Sequence, residues 1–407
     1  MGNLRGPASE GMRPIKIGEE NQMIARTISS VLALTLGLGA ANADELIIGS
    51  QIPLTGGLAR VGVGMNEGIQ VAAKVFNETH GQHTIKVITI DDESQPAKAV
   101  AAIEKLHSQG ALAFTGGYGS NIIGPASDAA ERLGKVYMTS GGVATELSHR
   151  GLKTFFRIVN AAGYAKAVAG LGDALDLQSF SLIYSTREST QEVAKLLEEM
   201  WTAQGKKVTM HPFDPSIADF KPVLHKIKLQ DRPDAIAMVG YENDYVGIIR
   251  AAKVLKPDVK AILGTWSLAT PKMWQDFPDL VNYTYGTATL SYPAQFSTAE
   301  EQTFAEAYKE MFDKEPDYLG TFGYVQGLLL FNAVAEAYDA GTLDSGGVQD
   351  ALRKAEHNTL IGKVIFDESG DNTNFAHRMA QHQDGSIAIV WPKENATSEA
   401  KFPAVPW

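Results

Sequence analysis

Gly116-Gly117-Tyr118-Gly119-Ser120-Asn121 follows the apolar run Ala111–Thr115, and Ser140-Gly141-Gly142-Val143 follows the apolar run Val136–Thr139. Each apolar run predicts a buried strand, which here ends in a glycine-rich loop. Glycine lets the backbone approach a bound molecule closely, and Ser120 adds a hydroxyl where the next helix exposes free N–H groups and the positive end of its dipole. The two loops therefore predict one half of a binding cleft that favours an anionic group, most simply a carboxylate.

Apolar strand runs alternate with amphipathic helical runs from Glu45 onward; Met65–Asn77 and Pro96–Ser108 have the helical spacing. This alternation predicts an α/β fold in which helices cover both faces of a parallel sheet. Ligands of such sheets bind at the carboxyl ends of the strands, which is where both loops lie. A second series of the same kind begins after Phe155–Val159, so two lobes are expected.

The length of 407 residues and the hydrophobic content of 44% are sufficient for two cores. In the second series the spacing predicts a helix over Ile217–Leu229. The chain is expected to end in a hairpin, Phe375–His382 and Ser386–Trp391, around the turn Gln383-Asp384-Gly385, followed by a polar tail.

The first 43 residues have the features of an export signal. Ile28–Ala40 is an apolar run with Arg26 before it and the small-residue pattern Ala41-Asn42-Ala43 after it. The run is too short to span a bilayer. We therefore expect residues 1–43 to be a leader and signal peptide that is cleaved after Ala43, with export to the periplasm.

The charge balance limits the possible partners. The formal net charge is −11, and no basic stripe is present, so nucleic acid is not expected as a partner. An acidic surface favours a soluble monomer. The chain has no cysteine, which a large domain with a full core tolerates in an oxidising compartment.

Several short motifs occur along the chain in the same order as in one known family. They are Ile52-Pro53-Leu54-Thr55-Gly56, Gly62 and Gly68, Asp91-Asp92 with Pro96, Gly116 to Ser120, Thr145-Glu146-Leu147, Phe156-Arg157 and Asp367-Glu368-Ser369-Gly370-Asp371. Together, from about Glu45 to Trp391, they resemble the periplasmic solute-binding proteins of ABC importers of the leucine/isoleucine/valine-binding (branched-chain amino acid) type.

The resemblance implies a type I periplasmic binding fold, with two doubly wound Rossmann-like lobes joined by a three-crossing hinge. Lobe 1 is expected at 44–159 plus 291–365, and lobe 2 at 160–290 plus 366–407. A solute would bind between lobes that close over it, and the closed form would dock on the ABC permease subunits in the membrane. No reaction on the solute and no cofactor are implied.

The resemblance also suggests which residues form the carboxylate half of the site. Ser120, beside Gly119 and Tyr118, would hold the ligand carboxylate together with backbone N–H groups of Gly141 and Gly142. A threonine of the family is replaced by Val143, which removes a hydroxyl hydrogen bond worth about 1 kcal/mol. Val143 could instead be an ordinary core residue at a strand end.

The other half of the site departs from the family. The glutamate that pairs with the ligand ammonium in amino-acid-binding relatives is replaced by Trp266, unless Trp266 is only a core or hinge residue. A buried ammonium without a carboxylate partner is unfavourable, although an indole face can contact a cation. Tyr241 matches a ligand-contacting tyrosine, or it packs at the surface. Glu242 and Asp244 could replace the missing partner, or cap a helix.

Two arginines could contact an anion. Arg187, in the loop after Phe180–Tyr184, and Arg60, on the rim loop of lobe 1, could each clamp a carboxylate or be solvated. The hypothesis is that the ligand is a carboxylic acid with an apolar or aromatic body. The alternatives are a genuine amino-acid-binding protein or a soluble sensor for a membrane receptor.

Enzymatic functions are not favoured. Gly62-Val63-Gly64 lacks the full dinucleotide-binding spacing, and Gly119-Ser120 lacks the glycine that a G-x-S-x-G nucleophile elbow needs two residues after the serine. The nine histidines are dispersed, so no metal site is expected.

Overall fold

Two large sheets and a separate two-stranded sheet form in the computed structural model, which describes residues 1–3, 44–296, 298–354, 356–375 and 377–407. Glu45–Trp407 is one unit and contains both large sheets; Met1–Asp44 is a separate unit. The predicted signal sequence and its apolar run lie outside the described residues.

The first sheet is built from alternating strands and helices. Its elements are β1 (Asp44–Ile52), α1 (Ala59–Thr79), β2 (His83–Asp91), α2 (Pro96–Ser108), β3 (Ala113–Gly116), α3 (Ser120–Arg132), β4 (Tyr137–Thr139), α4 (Glu146–His149) and β5 (Phe155–Arg157). The strand order is β2-β1-β3-β4-β5, and β1, β3, β4 and β5 run parallel.

The second sheet repeats this pattern. Its elements are α5 (Ala161–Ala174), β6 (Ser179–Ser185), α6 (Glu188–Ala203), β7 (Lys207–Phe213), α7 (Lys221–Lys226), β8 (Ala235–Val239), α8 (Glu242–Leu255), β9 (Ala261–Gly264), α9 (Pro271–Asp276), α10 (Pro278–Val281) and β10 (Tyr285–Ala288). The chain continues through α11 (Ala299–Phe312), α12 (Tyr318–Asp339), α13 (Gly347–Arg353), β11 (His357–Thr359), β12 (Gly362–Val364), β13 (Arg378–Gln383) and β14 (Ser386–Trp391).

Both sheets are doubly wound, which confirms the predicted fold class. The second has the order β14-β13-β10-β9-β8-β6-β7, in which β13 and β14 add an antiparallel edge to a parallel core. In each sheet the direction of winding reverses at one point, between β1 and β3 and between β6 and β8. These switch points are where open α/β sheets bind ligands.

Glycines allow α1 and α12 to pack backbone against backbone on one face of the first sheet. A Cβ atom on Gly68 would overlap the Gly320 carbonyl oxygen, and one on Gly323 would overlap the Met65 carbonyl oxygen. Because α12 covers this face, the chain returns to the first sheet after β10 before it completes the second.

The prediction for 217–229 is only partly correct. The Asp214 carboxylate accepts a hydrogen bond from the Ser216 N–H group at 2.8 Å, which holds a turn directly before the expected start, and the helix begins only at Lys221. α7 then forms one short helix and continues as a π-helical turn, Ile227–Asp231.

The predicted C-terminal hairpin forms, although its first strand begins at Arg378 instead of Phe375 and includes Gln383. Asp384 and Gly385 are both at positive φ, which a two-residue turn of this kind requires. The tail after it crosses the second sheet instead of leaving it. The Tyr285 hydroxyl donates to the Lys401 carbonyl at 3.0 Å, and the Ala404 N–H donates to the Lys260 carbonyl at 3.1 Å. Among the described helices, none has both the length and the apolar composition needed to cross a membrane.

Candidate ligand-binding site

The loop after β3 depends on its glycines. Gly116, Gly117 and Gly119 all have positive φ, and a Cβ atom on Gly117 would overlap the Tyr137 hydroxyl. The Gly117 N–H donates to the Gln51 carbonyl at 2.5 Å, which fixes the loop to the end of β1. The loop therefore delivers Ser120 to the first turn of α3 in a defined position.

Ser120 lies at the junction of the two lobes. Its side chain is buried, and its Oγ accepts a hydrogen bond from the Ala144 N–H at 3.1 Å. The same hydroxyl is hydrogen-bonded to the Ser189 hydroxyl, at 2.8 Å, from the first turn of α6. Ser189 thus satisfies the Ser120 hydroxyl from the second lobe.

The second loop supplies different donors from those predicted. The Gly141 N–H donates to the Thr139 hydroxyl at 2.9 Å and is not free for a ligand. The N–H groups of Gly142 and Val143 form no hydrogen bond with another described residue. Both remain available to an anion beside Ser120.

Aromatic side chains approach these loops from the second lobe. Trp266 follows β9, is 3% exposed, and meets the Tyr164 ring edge to face with ring centres 5.0 Å apart. The Tyr241 ring lies 5.9 Å from the indole, and the Arg187 guanidinium lies 5.0 Å from the centre of the Tyr241 ring. Asp244 accepts a hydrogen bond from the Tyr241 N–H at 2.8 Å, so it caps α8, and burial raises the pKa of its carboxyl.

Two adjoining cavities lie between the lobes. The inner cavity has a volume of about 10 Å³, roughly the space of one water molecule. It is lined by Tyr118, Ser140, Gly141, Val143, Tyr164, Ser189, Tyr241 and Trp266. The outer cavity has a volume of about 420 Å³ and is lined by Gly57, Leu58, Ser94, Asn121, Ile122, Arg187, Glu188, Ser189 and Tyr241.

The predicted residues differ in their positions relative to the two cavities. Those at a cavity wall are Tyr118, Gly141, Val143, Tyr241, Trp266 and Arg187. Gly119 and Ser120 lie directly beside the walls, whereas Gly142 packs its α-carbon toward Leu147 and Ile123 inside the first lobe. The remaining residue is Arg60.

Arg60 is engaged in ion pairs across the cleft. Its guanidinium pairs with Glu242, in the first turn of α8, and with Asp276, at the end of α9, at 2.7 Å. Its side chain is 41% exposed. In this structure Arg60 therefore joins the lobes at the rim, and both of these carboxylates already have a cationic partner.

Sequence reasoning missed several wall residues. Tyr164 and Ser189 lie in the first turns of α5 and α6, where nothing in the local pattern marks them as binding residues. Ser140 belongs to a loop that the sequence did single out, and its hydroxyl between a strand and two glycines was the available signal.

The walls of the inner cavity are formed by neutral aromatic and hydroxyl side chains and by backbone. Burial raises the pKa of Tyr118, Tyr164 and Tyr241, so these phenols stay protonated at neutral pH. The residues that line the inner cavity include no aspartate or glutamate. The outer cavity has one acidic and one basic side chain, Glu188 and Arg187.

Comparison with known proteins gives the same fold and family. The Leu/Ile/Val-binding protein homolog 7 of Brucella melitensis is 24% identical over 409 residues, covering 94% of this chain and 100% of that protein. The substrate-binding protein LivJ of a branched-chain amino acid transporter of Streptococcus pneumoniae, solved with isoleucine, has a TM-score of 0.75 at 21% identity, covering 84% of this chain and 98% of that one.

A solute-binding protein of an ABC transporter from Rhodopseudomonas palustris, solved with 3,4-dihydroxybenzoic acid, has a TM-score of 0.73 at 18% identity, covering 84% of this chain and 95% of that one. The family model of the periplasmic binding proteins matches residues 45–386. The chain, with its two doubly wound lobes and the cleft between their switch points, therefore belongs to the periplasmic binding protein family.

Proposed function

We propose that this protein is the extracytoplasmic solute-binding subunit of an ABC importer of the branched-chain amino acid type. It captures a small carboxylic acid with an apolar or aromatic body and delivers it to the permease subunits, without performing chemistry on it. It acts in the periplasm as a monomer after removal of the signal peptide. Relatives that bind isoleucine and dihydroxybenzoate support a carboxylate ligand in general.

One observation carries the choice of ligand. Trp266 occupies the wall where the resemblance places an ammonium partner, and the inner cavity has no carboxylate. Asp244 caps α8 and Glu242 pairs with Arg60, so neither replaces the missing glutamate. An ammonium buried here would lose its hydration without gaining an ion pair.

The body of the ligand is assigned to the outer cavity. Its volume of about 420 Å³ falls within the range of small-molecule sites, and Leu58, Ile122 and Tyr241 give it apolar surface. The carboxylate is assigned to Ser120 and the Gly142 and Val143 N–H groups, at the positive end of the α3 dipole.

The lobes, proposed at 44–159 plus 291–365 and 160–290 plus 366–407, close over the ligand by hinge motion. The Arg60 ion pairs join them in the closed form, and the Ser120–Ser189 hydrogen bond joins them where no ligand carboxylate occupies Ser120. The chain segments after β5, after β10 and before β13 serve as the three hinge crossings.

Matched ligand pairs test the function by isothermal titration calorimetry on protein that has been unfolded and refolded to remove bound solutes. L-phenylalanine and 3-phenylpropionate differ only by the ammonium, as do L-leucine and 4-methylpentanoate. We expect the acid without the ammonium to bind more tightly, by about 100-fold in at least one pair. Binding of the amino acids with no response to either acid or to benzoate would favour the amino-acid-binding alternative instead.

A further inference from the structure

Two buried polar atoms at the inner cavity have no hydrogen-bond partner among the described residues. They are Trp266 Nε1 and Ser140 Oγ, on side chains that are 3% and 4% exposed. A buried polar group without a partner is unfavourable by about 1–3 kcal/mol, so such groups in a binding protein point to a ligand or a water molecule.

The surrounding segment satisfies its other polar groups. The Thr265 hydroxyl is hydrogen-bonded to the Tyr245 hydroxyl at 2.8 Å, and the Ser267 N–H donates to the Tyr318 hydroxyl at 2.9 Å. The side chains on both sides of Trp266 are therefore held by hydrogen bonds, whereas the indole N–H at the cavity wall has no acceptor among the described residues.

The position of these atoms relative to the carboxylate donors limits where the recognised group lies on the ligand. Ser140 and Trp266 share the inner cavity with Gly141 and Val143, the loop proposed to hold the carboxylate. The cavity is only about 10 Å³ in volume, so a ligand atom that meets Trp266 there is close to the carboxylate. The body extends the other way, into the outer cavity.

The chemistry of the two atoms limits what that group can be. An indole N–H only donates, so its partner must be an acceptor, which an ammonium is not. The Ser140 hydroxyl can donate or accept, so it suits either a hydroxyl or a carbonyl oxygen. A hydrocarbon at this place would leave both atoms unsatisfied.

We propose that the ligand is a 2-hydroxy or 2-oxo carboxylic acid, and that Trp266 Nε1 donates a hydrogen bond to the oxygen on the carbon next to the carboxylate, with Ser140 Oγ as its second partner. This inference rests on the proposed function and narrows its ligand class. Trp266 then determines specificity. It stands where the family has a glutamate that accepts hydrogen bonds from an ammonium, and its indole N–H donates to the oxygen on the second carbon instead.

The test uses four ligands with one skeleton, which differ only at the second carbon: L-phenylalanine, 3-phenylpropionate, phenyllactate and phenylpyruvate. The leucine skeleton gives a second series of the same four kinds. Calorimetry on the wild-type protein is expected to show that the 2-hydroxy or 2-oxo acid binds about 10-fold or more tightly than the unsubstituted acid, which is 3-phenylpropionate in the first series. This preference is expected in at least one of the two series.

Two variants assign the preference to the proposed atoms. Trp266→Phe keeps an aromatic wall but removes the donor, and Ser140→Ala removes the hydroxyl; each is expected to reduce the preference for the oxygenated acid severalfold. Trp201→Phe is the matched control. Its indole is also buried without a partner but stacks on Phe180 away from both cavities, so the preference should remain.

The outcomes separate this inference from the proposed function. Equal binding of oxygenated and plain acids, or a preference that survives in both cavity variants, would overturn the inference alone, and the two atoms would then bind a water molecule only. Tightest binding of the amino acids, or no binding of any acid in either series, would overturn the proposed function together with the inference.

Discussion

The Ser120 hydroxyl has two roles that depend on whether a ligand is present. It accepts from the Ala144 N–H, which leaves its own hydrogen free to donate. In this structure the Ser120 hydroxyl is hydrogen-bonded to the Ser189 hydroxyl. A ligand carboxylate would take the place of Ser189 and form the stronger, charge-assisted bond.

Replacing Ser120 is therefore predicted to weaken binding more than replacing Ser189. For Ser120→Ala we expect a loss of about 1–3 kcal/mol in the binding free energy of 3-phenylpropionate, measured by calorimetry, because a charge-assisted hydrogen bond is lost. Ser189→Ala, the control, should change the affinity by less than about threefold. Unchanged affinity in Ser120→Ala would place the carboxylate elsewhere.

At this scale the sequence singled out residues in loops that follow strands, Ser120 among them, and missed Tyr164 and Ser189 in the first turns of two other helices. Tyr118, Tyr241 and Trp266 each come shortly after a buried strand, and parallel topology brings such positions to one edge. Tyr164 and Ser189 reach the cleft only because the two lobes face each other, which no local pattern contains.

At the scale of elements, contacts at or beside helix ends join the first lobe to the second. Besides the Ser120–Ser189 bond, Arg60 in α1 pairs with Glu242 and Asp276. On α6, the Glu192 carboxylate accepts from the Thr145 N–H, at 2.8 Å, directly before α4. A hinge motion that separated the proposed lobes would break these contacts.

Arg60→Met is predicted to speed ligand release. The variant keeps the length of the side chain but removes its ion pairs, which are partly exposed and worth about 1 kcal/mol at most. We expect dissociation of 3-phenylpropionate, followed by stopped-flow, to accelerate up to about fivefold, and the salt dependence of this rate to decrease. Lys363→Met is the matched control, since Lys363 pairs with Glu356 inside one lobe. An effect of equal size in both variants would contradict the role of Arg60 in closure.

The sequence predicted strands and long helices better than the contacts between them. The helix predicted over Pro96–Ser108 has the same bounds as α2, because apolar residues recur at helical spacing along one face of this run. In contrast, α1 begins at Ala59 instead of Met65, and this early start places Arg60 on a helix opposite Glu242. The partner lies 182 residues away in the chain, so a local reading assigned Arg60 to a solvated or ligand-binding role.

For the whole molecule, buried histidines couple stability to pH. Burial lowers the pKa of His377 well below its ordinary value of 6.5 and that of His382 to about 4. Below pH 6.5 these two histidines therefore bind protons in the unfolded chain but stay neutral in the folded chain. Stability is fully present above that value and decreases as the pH falls from 6.5 toward 4.

His377→Phe is predicted to reduce this acid sensitivity. The ring of His377 packs among Tyr164, Phe322 and Phe375, and neither of its nitrogens has a partner among the described residues. A phenyl ring suits these neighbours and does not titrate. The free energy of unfolding, from denaturant titrations, should fall less steeply with decreasing pH, by up to about 1.4 kcal/mol per pH unit.

An identical slope in wild-type protein and His377→Phe would show that His377 does not contribute to acid unfolding.

The position of Trp266 against Tyr164 and Tyr241 also gives the cleft an optical reporter of its own. Indole emission responds to the polarity of its surroundings and to hydrogen bonding at the ring nitrogen. Of the five tryptophans, Trp266 lies on the wall of the inner cavity, so occupancy can be followed in the unlabelled protein. The chain has no cysteine, so a single introduced thiol would accept a dye at one chosen place and report closure of the lobes in the same experiment.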